Sequence, residues 1–189
     1  MKKHINAQKK GRAFEKEISK NLSLWWSNNK RDDIFFCTSG SGSRFTSRKK
    51  VGKDTANSCG DIGITDPIGQ PLLDFFSVEV KRGYSDKLDI LSLVDSKNKN
   101  NEVIDWVVKA KKEIKEAGRP YYMIVIKRNR KQKVVVIDID FYYNFLSKIK
   151  PSKEPLLKFY GEVCFVIIPY DEFFSIFSPL DFIKEKGDQ

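Results

Sequence analysis

Histidine is almost missing from this sequence: His4 is the only one in 189 residues. Cysteine is scarce too, and Cys37, Cys59 and Cys164 are odd in number and lack the spacing of a metal site. These shortages argue against a zinc centre or a disulfide framework, and leave reduced thiols as the simplest account. Long apolar runs are missing as well. None approaches the ~18 residues that a membrane-spanning helix needs, so no membrane partner is expected. The opening MKKHINAQKKGR is basic but leads into no apolar signal core, which points to a cytoplasmic, intracellular protein.

What is present is enough apolar material for a core, 40% of residues, beside 32% charged residues. At this length one domain is expected. The charge is uneven. Residues 1–60 carry fourteen Lys/Arg against five Asp/Glu, whereas residues 61–81 carry four acids and one lysine. A basic third beside a short acidic strip suits a phosphate-binding surface around a cation site. A lysine-rich solvated surface is the plainer alternative.

Periodicity places the elements. In KKGRAFEKEISKNLSLWWS (9–27), Phe14, Ile18, Leu22, Trp25 and Trp26 fall on one helical stripe. Glu15 falls inside it, between the directions of Leu22 and Trp26. An inward carboxylate is costly unless it is paired or ligating something; the alternative is an edge residue whose head reaches water. DIFFCT (33–38) predicts a short strand. It runs into SGSGSRFTSRKKVGKDTANSCG, where Ser39, Ser41, Arg44, Arg48, Lys49, Lys50 and Lys53 could meet phosphates, unless the stretch is only a linker. GDIGIT and LLDFFSVEVKR then predict a hairpin across DPIGQP. A helix over 101–117 is capped by Gly118. Strands at 121–129 and 133–139, a helix at 140–149, a strand at 162–168 and the aromatic helix DEFFSIF complete the order. The expected class is α/β, a central mixed β-sheet flanked by helices.

The stretch FFSVEVKRG poses the functional question. Side chains two apart on a strand share a face, so Ser77, Glu79 and Lys81 oppose Val78 and Val80. In the predicted hairpin Asp61, opening its strand, comes to the same end as Glu79. Two converging carboxylates suit a hard divalent cation, which keeps several waters. A lysine on the same face can hold or deprotonate a water, or neutralise phosphate charge. A surface salt bridge would use the same residues.

GDIGI…SVEVKRG resembles the D…ExK core of the PD-(D/E)xK nuclease superfamily. KKGRAFEKEI resembles the first helix of its archaeal-type and phage Holliday junction resolvase-like endonucleases, with Glu15 in the place of their helix glutamate. CTSGSGSR is similar to the Ser/Gly loop of archaeal-type resolvases, and W…A…AGRPYYMIVIKRN to the helix and strand that follow ExK. The resemblance covers about residues 9–140. It implies a restriction-endonuclease-like α-β-β-β-α-β core in residues 1–141, with residues 1–8 as a flexible basic tail. Residues 142–189 would then be a C-terminal elaboration, an extra strand and helices packed on the same domain.

The resemblance also implies roles. Asp61, Glu79 and the Val80 carbonyl would hold Mg²⁺ or Mn²⁺, Glu15 would complete the site directly or through a water, and Lys81 would position or activate the attacking water. Two departures stand out: Gly60 replaces a frequent proline, and the long interval from Asp61 to Glu79 leaves Asp74 as a rival aspartate. The expected activity is metal-dependent endonucleolytic cleavage of DNA, branched or duplex, by a homodimer in recombination or repair. Lys127 and Arg128 would grip backbone phosphates alongside the loop. A sequence-specific restriction-type enzyme and a catalytically idle DNA-binding module are the alternatives. A phage or mobile-element origin would suit a small stand-alone nuclease.

Overall fold

The computed structural model describes residues 2–38, 59–82, 101–145, 157–159 and 163–184. Helix α1 (Lys2–Trp26) leads to strands β1 (Phe35–Cys37) and β2 (Ile62–Ile64). A 3₁₀ turn and helix α2 (Gln70–Phe75) precede β3 (Phe76–Arg82), and α3 (Glu102–Ala117) precedes β4 (Tyr121–Lys127) and β5 (Lys133–Asp138). After α4 (Ile139–Asn144) come β6 (Leu157–Phe159), β7 (Phe165–Pro169), α5 (Tyr170–Ile176) and α6 (Pro179–Lys184). Helix α1 is helical from Lys2 rather than from near Lys9, so the expected basic tail continues the helix.

The main sheet has the order β3-β4-β5-β7-β6. Strands β3 and β4 run parallel and the remaining neighbours antiparallel, which makes the sheet mixed. Parallel neighbours need a crossover, and α3 supplies it. Asn101 caps α3 by accepting from the Val103 amide at 2.9 Å, and Gly118 ends it at φ 66°.

The two faces of the sheet bury different partners. Val78, Val80, Met123 and Val125 pack with Phe14, Ile18 and Leu22 of α1 and with the aromatic residues of α4, α5 and α6. Phe141, Phe173 and Phe182 are fully buried there, so the C-terminal elements share this core. On the other face, Tyr122, Ile124, Ile126 and Val136 meet Val103, Val107, Ala110 and Ile114 of α3. Strand alternation thus separates Val78 and Val80 from Glu79 and Lys81, which project to the α3 side.

The expected hairpin is corrected. Strand β2 pairs antiparallel with β1, Phe35 opposite Ile64 and Cys37 opposite Ile62, and the segment read as the start of the partner strand is helical. Asp66 accepts from the Ile68 amide at 3.0 Å and so caps the turn. Pro67 and Pro71 stand at the starts of the successive helical turns, where a fixed φ is favourable. Leu72 and Leu73 are then both fully buried. A short apolar run is ambiguous between strand and helix, and here the caps and packing decide it.

Candidate active site

Asp61 reaches β3 without a regular hairpin. Gly60, at φ 84°, turns the chain so closely to the strand that a Cβ would lie 2.6 Å from the Val78 carbonyl oxygen. Proline cannot adopt that φ and any other side chain would collide, which accounts for the departure from the superfamily pattern. The Asp61 amide then donates to the Val78 carbonyl at 2.7 Å. Its carboxylate accepts from the Val80 amide at 2.8 Å. Asp61 is therefore latched to the backbone on both sides of Glu79. Arg119 holds the approach in place, with Nη1 donating to the Phe76 carbonyl at 2.8 Å and to the Cys59 carbonyl at 3.3 Å.

Lys81 lies between the two acids. Its Nζ donates to Glu79 Oε2 and stands 3.6 Å from Asp61 Oδ2. Glu79 is only 6% exposed. Burial, then the charge of Asp61, push its carboxyl up to about 7, against the opposing pull of Lys81. Glu15, half-buried on α1, is also raised, first by burial and then by Asp61, while Arg12 and Lys81 pull it down. Glu15, Asp61, Glu79 and Lys81 thus share one electrostatic neighbourhood. Asp74 does not join them: it sits on α2 and accepts from Gln70 Nε2 at 2.7 Å.

The two basic residues expected at the end of β4 face different ways. Lys127 Nζ lies 5.6 Å from the Phe14 ring centroid and 3.7 Å from Glu17, on the α1 side. Arg128 lines a cleft with Val103, on the α3 side. Ser39, Ser41, Arg44, Arg48, Lys49, Lys50 and Lys53 lie outside the described residues.

A cavity of about 310 Å³ opens beside Glu79 and Lys81, and its far wall is α3: Trp106, Lys109, Ala110 and Glu113. Sequence reasoning misses these residues when α3 is read only for its apolar stripe. A signal exists, since positions 106, 110 and 113 recur at helical spacing on one face. Glu113 is 3.5 Å from Lys109 and adds to the negative field that raises Glu79.

Among the described residues, no three His, Cys, Asp or Glu side chains stand close enough to enclose a metal ion. The donor set nonetheless fits a magnesium-like ion, which takes one or two carboxylates and retains water. Asp61 and Glu79 could supply the two carboxylates. Glu79 is held back from ionising by burial and by neighbouring negative charge, a condition that added positive charge would relieve.

A mixed sheet whose first strand carries Glu-x-Lys, with an aspartate latched beside it, defines a restriction-endonuclease-like core. The chain belongs to the family described as phage putative PDDEXK endonuclease, which it matches over residues 6–183. That span includes β7, α5 and most of α6, beyond the residues that carry the sequence resemblance. No curated protein and no solved structure matches the chain. Among the described residues, no helix is long and apolar enough to cross a membrane.

Proposed function

We propose that this chain is a Mg²⁺- or Mn²⁺-dependent endodeoxyribonuclease that acts on branched DNA in the manner of a Holliday junction resolvase. The observation that carries the proposal is the placement of Lys81 Nζ between the latched Asp61 and the buried Glu79. Membership of an endonuclease family supports the coarser class, a nuclease acting on DNA.

Asp61, Glu79 and the Val80 carbonyl would hold the metal ion, with Glu15 contributing through a water. When bound, the ion supplies Lewis-acid stabilisation of charge on the phosphate. Asp61 can face the ion because the Val80 amide fixes its carboxylate. Lys81 holds the attacking water by its amine and balances negative charge that builds on the phosphate oxygens. Lys127, Arg128 and the basic residues of 44–53 would contact backbone phosphates and position the substrate without reading sequence. Residues 1–141 form the nuclease core in this proposal, residues 142–189 elaborate it, and a homodimer presents two sites to two strands. Resolution of branched intermediates places the activity in recombination or repair, inside the cell.

The test is incubation with a four-way junction, a matched linear duplex and a single strand, each with Mg²⁺, Mn²⁺ or EDTA. Metal-dependent cutting of the junction alone is expected. Cutting of plain duplex at fixed sequences would replace this reading with a restriction-type one, and binding without cleavage by an idle module. Glu79→Ala and Lys81→Ala should each abolish cleavage while leaving the fold and most DNA affinity. Near wild-type cutting by either variant would overturn the site.

A further inference from the structure

We propose that the cavity between β3 and α3 receives one unpaired nucleobase next to the phosphate being cut, stacked on Trp106. This inference rests on the nuclease reading and narrows its substrate. The cavity, about 310 Å³, shares Glu79 and Lys81 with the candidate active site, so its occupant lies beside the cleavage chemistry. Its walls combine the indole of Trp106 and the aliphatic surfaces of Ala110 and Ile124 with the polar heads of Lys109 and Glu113. A nucleobase has the matching character, flat apolar faces and an edge of donors and acceptors.

Charge argues against a phosphate there. The lining carries two acids, Glu79 and Glu113, and two lysines, and both lysines are already engaged, Lys81 by Glu79 and Lys109 by Glu113 at 3.5 Å, so neither is left to offset a phosphate inside. A neutral base meets no such penalty, and the phosphate that carries it can stay outside, near Lys81. Trp106 belongs to α3 and packs against the buried cluster that includes Ile124, so the stacking surface is held rigidly against the sheet.

A base inside a duplex can enter such a cavity only by breaking its pair and its stack, which is costly; a base already unpaired enters without that cost. The cavity therefore favours branched or interrupted duplex with an unpaired nucleotide at the cut, as in a bulge, flap or opened junction, over continuous duplex.

The test uses two fluorescent probes in EDTA, where cleavage cannot proceed. One is a duplex with a single bulged 2-aminopurine, the other the same duplex with that 2-aminopurine paired. Binding should quench the bulged probe and leave the paired probe nearly unchanged. Trp106→Phe should keep the quenching. Trp106→Leu, which retains apolar packing, should lose it and weaken binding of the bulged probe about tenfold, in line with loss of one base stack. Its affinity for the paired duplex should not change, and a thermal melt checks that the variant is folded.

Quenching that survives Trp106→Leu, or an equal loss of affinity for both probes, would overturn the inference and leave the nuclease reading intact. Failure to bind either probe while the four-way junction is still cut with Mg²⁺ would overturn this inference alone; failure to bind the probes and to cut any DNA would remove the nuclease reading, and this inference with it.

Discussion

Glu79 has an ordinary carboxyl pKa of 4.5 before folding and is pushed to about 7 by burial and Asp61. Between those values the folded protein binds more protons than the unfolded chain, so stability falls as pH rises through the window. Thermal melts of the metal-free protein should show the midpoint dropping from about pH 4.5 toward pH 7, and Glu79→Gln should flatten that slope. Added Mg²⁺ should raise the midpoint most above pH 7, where Glu79 is ionised. An unchanged slope in Glu79→Gln would place the titration elsewhere. Gly60 offers a steric test at the same site. With φ 84° and Val78 oxygen 2.6 Å from an added Cβ, Gly60→Ala should destabilise the protein by about 1–3 kcal/mol and reduce cleavage by displacing Asp61. Gly11→Ala is the control. Gly11 lies inside α1 with nothing within 4 Å of an added Cβ, so that change should stabilise the protein by about 0.5–1 kcal/mol. Urea unfolding distinguishes the two signs.

Among the elements, α1 joins core and site. Phe14 is fully buried on the sheet, with Arg82 and Lys127 each 5.6 Å from its ring centroid; the next residue, Glu15, is near enough to feel the charges of Asp61 and Lys81. Phe14→Ala should cost about 3–5 kcal/mol, measured by denaturant unfolding. A loss below about 1 kcal/mol would mean that α1 is not anchored by this residue. The long elements are legible in the sequence because their periodicity extends over several turns: the stripe Phe14, Ile18, Leu22 and Trp26 is buried as the 3.6-residue period requires. The α3 helix is legible for the same reason, together with Gly118 at its end. Helix α2 is not. Six residues span too little of either period, and Leu72 and Leu73 satisfy both until the core shows that both are buried. The inward direction of Glu15 follows from the helical wheel, and the face of Glu113 is equally readable once the polar side of α3 is followed as well as its apolar stripe.

For the whole molecule, the net charge of +10 is concentrated in the first third of the chain. DNA binding that depends on it should weaken steeply with salt, since each neutralised phosphate releases counterions. Replacing Arg44, Lys49 and Lys50 together by neutral residues should reduce affinity. It should also lower the slope of log K against log salt by about 0.9 for each phosphate that is no longer neutralised. An unchanged slope would mean that these three residues do not contact phosphates. Local sequence periods dictate the mixed α/β class, the burial of α1 and α3, and the shared face of Glu79 and Lys81. Strand alternation leaves Glu79 and Lys81 no other relation. Long-range packing selects Asp61, not Asp74, as their neighbour. That choice depends on Gly60 turning the chain against Val78 and on α2 carrying Asp74 away, and no local period encodes how such distant segments meet.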